Sequence, residues 1–566
     1  MQQQIESSNQ SVNSCQHIKK ILLIILDGFG IRENPEFNAI AAANMLNWNY
    51  YTTKYAFGTL DASGLSVGLP SGQFGNSEVG HLNIGAGRVV MQDITRINDS
   101  IVSGEFYKNP ALLRVLDTTT SGTVHIMGLL SDGGVHAHIE HIIALIKFFS
   151  SESVKGDLAD SNQVRDDQVI NKGNAIKQIF LHIFLDGRDT PPKSAVIFLA
   201  HLENVLKQYP VAKIATLGGR YYAMDRDRRY DRIQLAYDAI VGGGVAHDSD
   251  SSIYDVDTRD GETHVIHTAP LANSAIEVIN ESYAHGITDE FIKPHVIDGY
   301  TGFKDGDSVI FANFRSDRAT QLTDAISGEC FEQFKRFRVK LANFVTMTQY
   351  DAKFSAIPVF SPNTVYNTLG EYIAGLGYSQ LRIAETEKYP HITYFFNGGK
   401  KEPYLNEERI LISSPRDVAT YDLKPEMSLP EVTDKLVAAI ALDKYELIVT
   451  NFANCDMVGH SGDLAATTKA VEAVDIALGR CIKSMLDIGG EVLVIADHGN
   501  CEEMFDIKSH QVHTQHTTNP VPCLYIGRPA TIKSHGTLQD VAPTLLAMAG
   551  LPKPAEMTGK SVINLV

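Results

Sequence analysis

Short apolar runs recur along the chain, each bounded by Gly, Asp, Pro or a charged residue, with helical stretches between them. The clearest are Ile21–Leu26, Val124–Leu130, Ile179–Leu185, Ala212–Leu217, Val309–Ala312, Leu447–Thr450, Val492–Ala496 and Val521–Ile526. They are rich in β-branched residues and lack the polar alternation of a half-solvated strand. That pattern predicts strands buried on both faces of parallel sheets, and with the intervening helices an α/β fold.

Several of these runs end on charged residues: Asp27, Asp186, Arg220 (after Gly218-Gly219), Arg315, Asp456 and Asp497-His498. In open α/β sheets ligands bind beyond the carboxyl ends of the strands, so endings of this kind point to one or two assembled sites. Ser150–Asn174 and Asp248–Thr263 are rich in Ser and Asp and read as inserted, solvated loops. Pro358 and Pro362 flank a stretch with the character of a hinge loop. Residues 1–17 are polar and are expected to be a disordered tail.

The chain has 566 residues, enough for two or more domains. Lys19-Lys20 before Ile21–Leu26 mimics a signal peptide, but the apolar run ends at Asp27 and no small-residue cleavage site follows, so a buried strand is the better reading. No stretch approaches the ~18 uncharged apolar residues of a membrane span. A net charge of −18 argues against non-specific nucleic-acid binding. The six cysteines form no Cys-x-x-Cys pair, which fits a reduced, cytoplasmic setting.

Two groups of residues carry chemistry. The first holds Asp and His: Asp27; Asp456 and His460, spaced i,i+4 after a strand; Asp497 and His498 after another; and His516. Carboxylates with imidazoles suit Mn²⁺, Zn²⁺ or Mg²⁺, and two such ions side by side are a recurring device in phosphoryl transfer. Any one of these residues alone reads as a cap or a core histidine; on four strand ends together they read as ligands. His513 is read as an exposed loop histidine. Ser77, in Gly75-Asn76-Ser77-Glu78-Val79-Gly80-His81, has no base beside it in sequence, and a cation would supply the activation it lacks.

The second group holds arginines, dense for an acidic chain: Arg188 beside Asp189, Arg220 and Arg226, and Arg315 and Arg318. Guanidinium forks bind carboxylate and phosphate bidentately, so these strand ends suggest a small ligand with both groups. The interleaved aspartates make surface ion pairs a credible alternative for part of the set, and Arg228, Arg229 and Arg232 are assigned to it. His136, after a fourth strand, reads equally as a phosphate contact or as structural.

The chain resembles the cofactor-independent (2,3-bisphosphoglycerate-independent) phosphoglycerate mutases. The resemblance rests on Leu26-Asp27-Gly28-Phe29-Gly30, the Ser77 stretch above, Ser131-Asp132-Gly133-Gly134-Val135-His136, Asp186-Gly187-Arg188-Asp189 and Gly219-Arg220 through Asp225-Arg226. It continues through Phe314-Arg315-Ser316-Asp317-Arg318, Glu385-Thr386-Glu387-Lys388, Asp456-Met457-Val458-Gly459-His460 and Ala496-Asp497-His498-Gly499-Asn500. The resemblance implies two α/β domains. One is alkaline-phosphatase-like and discontinuous, over residues 18–92 and 364–566; the other is an inserted substrate-binding transferase domain over 93–363. The linkers between them would act as hinges for an open and a closed form.

The implied activity is interconversion of 2- and 3-phosphoglycerate in glycolysis and gluconeogenesis, with no need for 2,3-bisphosphoglycerate. Asp456, His460 and His516 are similar to the ligands of one metal, and Asp27, Ser77, Asp497 and His498 to those of the other. Mn²⁺ is the expected ion, with Mg²⁺ or Co²⁺ as alternatives. His136, Arg188, Asp189, Arg220, Arg226, Arg315, Arg318 and Lys388 resemble substrate-binding residues. Ser77 is the implied nucleophile and phosphoserine, Lys388 offsets phosphoryl charge, and Asp189 shuttles a proton. A monomer without nucleic-acid or membrane partners is expected. The rival readings are a metal-dependent phosphatase or phosphopentomutase on the same scaffold, and a non-catalytic anion-binding protein.

Overall fold

The computed structural model describes residues 18–150, 176–243, 255–257, 264–266, 269–336, 338–507 and 510–566. The tail 1–17 and nearly all of the two inserted loops lie outside them; within the second, Asp255–Asp257 pairs antiparallel with His264–Ile266. The chain divides into two compact units, one of residues 1–92 with 364–566 and one of residues 93–363.

The first unit is built on an eight-stranded sheet. Its order is Glu407–Ile412, Gln380–Glu385, Leu447–Phe452, Ile21–Leu26, Glu491–Ile495, Val521–Ile526, Ala56–Asp61 and His535–Thr537. Ile21–Leu26 is central and buried at every residue. Each such aliphatic side chain contributes about 1.5–3 kcal/mol relative to exposure. The 24-residue helix Leu464–Asp487 packs its apolar face, including Val471, Val474, Leu478 and Ile482, into the same core.

Two features depart from the sequence reading. Val521–Ile526 is a strand as expected, but it runs antiparallel to both of its neighbours. Gln380–Glu385, Glu407–Ile412, Ala56–Asp61 and Asn343–Thr348 are strands that the apolar runs did not mark. In Gln380–Glu385 the run is broken by Gln380, Arg382 and Glu385, all buried; Arg382 donates to Gln380 Oε1 at 2.6 Å and stacks over Phe396. A strand whose buried residues include such polar ones is invisible to a hydrophobic pattern.

The second unit repeats the plan, in the order Ile357–Phe360, Asn343–Thr348, Ser308–Phe311, Thr123–Leu130, Gln178–Leu185, Ala212–Gly219, His295–Ile297 and Leu271–Ala272. The first six strands are mutually parallel. Pro358 lies inside the edge strand Ile357–Phe360, not at the margin of a hinge loop; an edge is where a strand tolerates a residue with no N–H.

Ser77 opens the helix Ser77–Ala86. Asn76 caps it, accepting from the Val79 N–H at 2.9 Å, and Gly87 ends it in the left-handed region. At Gly85 this helix meets the turn after Lys388: a Cβ there would lie 1.9 Å from the Phe396 carbonyl oxygen, a backbone atom that cannot swing aside. Overpacking costs about 1–3 kcal/mol, against about 1 kcal/mol gained in helix propensity on replacing Gly by Ala. Gly85→Ala is therefore expected to lower the unfolding temperature; a thermal melt at or above wild type would contradict this packing.

Candidate active site

Sheet topology decides which charges meet in the first unit. The strands Gln380–Glu385, Leu447–Phe452, Ile21–Leu26 and Glu491–Ile495 are consecutive and parallel. Their carboxyl ends deliver Lys388, Asp456, Asp27 and Asp497 to one edge. The next strand, Val521–Ile526, runs the other way, so the residues before it arrive at that same edge. His516 is among them. The reversed strand thus explains why this histidine precedes its strand while the other groups follow theirs.

Lys388 sits at the centre. Its Nζ donates to Asp27 Oδ1 at 2.7 Å, Asp456 Oδ2 at 2.6 Å and Ser77 Oγ at 2.8 Å. Burial works against its charge, but Asp27, Asp456 and Asp497 outweigh burial and raise its pKa. Ser77 Oγ also donates to Asp27 Oδ1 at 3.2 Å and lies 3.0 Å from His498 Nε2. Ser77 is the first residue of its helix, where the helix dipole favours negative charge.

Three buried carboxylates face one ammonium here. Burial, and then Asp497, raise the pKa of Asp27; Asp456 and Asp497 are held ionised against burial, the former chiefly by Lys388 and the latter chiefly by His498. Asp497 Oδ2 is buried without a hydrogen-bond donor. The surplus is negative, which suits cations.

Beside Lys388, His460 Nε2, His516 Nε2 and Asp456 Oδ1 form a triangle with sides of 3.2, 3.1 and 3.2 Å. His460 Nδ1 is 2.7 Å from the Thr514 carbonyl and His516 Nδ1 is 2.9 Å from the Gly75 carbonyl. Carbonyls only accept, so each Nδ1 carries a ring proton, and in the neutral ring each Nε2 presents a lone pair. Two lone pairs and a carboxylate oxygen pointing at one another fit a divalent cation, in the tautomers that carbonyl partners impose on ligating histidines. Asp27, Asp497, His498 and Ser77 form a second group next to it: His498 Nε2 is 3.5 Å from Asp27 Oδ1 and 3.6 Å from Asp497 Oδ2. His513 is half-buried rather than exposed; its backbone pairs with Met504.

Glu502 gave no sequence signal, yet it joins the loops that carry these groups. Its Oε2 accepts from the Gly30 and Asn500 N–H groups at 3.0 and 2.8 Å. Its Oε1 accepts from the Thr517 hydroxyl and from Asn519 Nδ2 at 3.0 Å. Gly30 is required beside it, because a Cβ there would lie 2.2 Å from Glu502 Cδ.

In the second unit the same edge rule gathers positive charge. The consecutive parallel strands Ser308–Phe311, Thr123–Leu130, Gln178–Leu185 and Ala212–Gly219 lead into Arg315 and Arg318, His136, Arg188 and Asp189, and Arg220. Arg220 is buried and donates to Asp186 Oδ1 at 2.7 Å and to Asp189 Oδ2. Asp186 is fixed in turn by Ser131 Oγ at 2.7 Å and by the N–H groups of Arg188 and Asp189. Burial lowers the pKa of Arg318, and the nearby charges of Arg220, Arg226 and Arg188 lower it further. Burial and Arg220 depress His136 to about 4, so its ring is neutral at ordinary pH. Asp317 anchors Arg226 at 3.3 Å and Arg315 at 3.2 Å, both half-exposed. Arg232 pairs with Asp225 at 3.4 Å and stacks on Tyr221; the pair was expected at the surface, but Asp225 is buried and Arg232 is only partly exposed.

Comparison with known proteins agrees with this geometry. Residues 19–553 match the family described as the metalloenzyme superfamily. A 2,3-bisphosphoglycerate-independent phosphoglycerate mutase of Chromobacterium violaceum is 48% identical over 549 residues, covering 97% of this chain and 99% of that one. Its counterpart in Methylobacillus flagellatus is 49% identical over 552 residues, covering 96% and 98%. A Leishmania mexicana phosphoglycerate mutase, solved at low cobalt concentration, superposes with a TM-score of 0.65 at 28% identity, covering 98% of this chain and 99% of that one. With relatives nearly half identical over almost their whole length, the chain belongs to the family of 2,3-bisphosphoglycerate-independent phosphoglycerate mutases.

Proposed function

We propose that this chain interconverts 2-phosphoglycerate and 3-phosphoglycerate through a phosphoryl group carried transiently on Ser77. The observation that supports this most directly is the meeting of Ser77 Oγ, at a helix N-terminus, with Asp27, His498 and Lys388. Two divalent cations are part of the reading, Mn²⁺ first and Mg²⁺ or Co²⁺ as alternatives, held by Asp456, His460 and His516 and by Asp27, Ser77, Asp497 and His498. Ions so held lower the pKa of a neighbouring hydroxyl and offset charge on phosphoryl oxygens.

The chain's own groups do the rest. The hydrogen of Ser77 Oγ points to Asp27 Oδ1, which leaves a lone pair for an incoming phosphorus. Asp27, the carboxylate to which the hydroxyl donates at 3.2 Å, takes that proton, with its pKa raised by burial and then by Asp497; His498 Nε2, at 3.0 Å from Ser77 Oγ, is the other base within reach. As the Ser77 Oγ–P bond forms, the bond from phosphorus to a glycerate oxygen breaks, and Lys388 Nζ offsets charge on the phosphoryl group. Arg188, Arg220, Arg226, Arg315 and Arg318, with neutral His136, hold glycerate by its carboxylate. Asp189 moves a proton between the two glycerate hydroxyls, and the second hydroxyl then takes the phosphoryl group back. In this reading the unit with Ser77 is the phosphatase-like domain and residues 93–363 are the substrate domain. A phosphatase or phosphopentomutase would share the carboxylate–histidine set but has no use for this arginine cluster.

Ser77→Ala is expected to cut isomer interconversion by roughly 10⁶-fold, the scale on which loss of an enzyme nucleophile is felt. Coupled assays of 2- and 3-phosphoglycerate, run beside an assay of inorganic phosphate, check this; undiminished interconversion, or phosphate release as the main wild-type reaction, sinks the proposal. Chelation should abolish activity and Mn²⁺ restore it. The cation needs His460 Nε2 unprotonated, and Asp456 raises the pKa of His460. Metal affinity should therefore fall as the pH drops through that raised pKa; Mn²⁺ titrations that are flat with pH would contradict His460 as a ligand.

A further inference from the structure

Distance alone admits another ligand. Asp27, His81 and Asp497 present donor atoms within 4.8 Å of one another, all three residues being buried. His81 lies one helical turn after Ser77, with Nδ1 3.3 Å from Asp497 Oδ2. Hydrogen-bond accounting around its ring gives a different answer.

Asn451 Nδ2 lies 2.6 Å from Asp27 Oδ2 and 3.1 Å from His81 Nε2. A carboxylate only accepts, so the Asn451 amide must turn its NH₂ toward Asp27. The second hydrogen of that nitrogen is then directed to His81 Nε2, which must be bare to receive it. On the far side of the ring, Nδ1 is 2.8 Å from the Ser77 carbonyl oxygen, again an acceptor only, so Nδ1 carries the ring's hydrogen. His81 is thus neutral, in the Nδ1–H tautomer, with both nitrogens engaged. Asn451 Oδ1 has no hydrogen-bond partner among the described residues, so the amide is held by its two N–H groups.

We infer that His81 and Asn451 are a positioning pair that fixes Asp27 relative to Ser77, and that His81 is not itself a metal ligand. Asn451 lies opposite Ile25 on the neighbouring strand and reaches the Oδ2 side of Asp27. That leaves Oδ1 facing Ser77 Oγ and Lys388 Nζ. The ring that orients Asn451 is bonded to the backbone of Ser77, so the serine and its carboxylate share one support. This is how the partners of ligating carboxylates act: they set the direction of the lone pairs, and their loss costs ~10–100-fold in metal affinity or activity.

The inference rests on the metal reading above, and its test separates the two. Mn²⁺ binding to metal-stripped protein is measured by calorimetric titration, giving stoichiometry and Kd, for wild type, Asn451→Ala, His81→Ala and His81→Gln. Thermal melts confirm that each variant folds. Asn451→Ala and His81→Ala should weaken one site by about 10–100-fold, with stoichiometry restored at high Mn²⁺. His81→Gln, whose amide oxygen can accept from Asn451 at the position of Nε2, should return the affinity toward wild type. Asn451→Ala or His81→Ala binding as tightly as wild type would overturn the positioning role, and either shows it if the other fails to fold. His81→Gln losing the site as completely as His81→Ala would make the ring a ligand. Wild-type protein that takes up no Mn²⁺ would remove the metal reading itself, and is seen before any substitution is made.

Discussion

Three carboxylates buried side by side against a single ammonium are the constraint on which the first unit depends. Asp27, Asp456 and Asp497 repel one another in a place with little water, and Lys388 cannot neutralise all three. Buried charge left unmatched costs several kcal/mol per ion even after relaxation. The surroundings are arranged to tolerate that cost until cations relieve it. Central strands anchor the backbone, Glu502 ties the loops, and backbone carbonyls fix His460 and His516 with lone pairs turned inward. In the proposed reading, a site with this surplus takes up divalent cations and, through them, phosphate.

The second unit uses the same geometry with the opposite sign. Consecutive parallel strands again end on one edge, but they deliver arginines, and the pKa of Arg318 is depressed first by burial and then by the charges of Arg220, Arg226 and Arg188. Asp186, Asp189 and Asp317 hold some of them in place without cancelling the positive surplus. A chain with a net charge of −18 thus concentrates positive charge where a small anion would bind. In the proposed reaction the two signs divide the labour: one unit activates the phosphoryl group, and the other keeps glycerate from leaving.

Much of this was legible in the sequence, because unbroken apolar runs mark strands buried on both faces. Ile21–Leu26 and Val521–Ile526 match their runs residue for residue. Strand direction was not legible, since the run Val521–Ile526 looks the same read either way, and it is that direction which carries His516 to the edge. Gln380–Glu385 was hidden because three of its six buried residues, Gln380, Arg382 and Glu385, are polar. Among the candidate residues, Asp456 and His460 were given by i,i+4 spacing and meet at 3.2 Å. Glu502, Asn451 and His81 could not be singled out: their roles lie in hydrogen bonds to residues distant in sequence or to backbone, which no local pattern encodes.

The central claim is that Ser77 carries the phosphoryl group between the two glycerate oxygens. Rapid acid quench of the Mn²⁺-loaded enzyme during turnover, followed by peptide mass spectrometry, reads it directly. The account predicts a phosphoryl group on the peptide containing Ser77, absent without substrate and absent from Ser77→Ala. Full turnover with that peptide never modified, or with the phosphoryl group found on another residue, would contradict it.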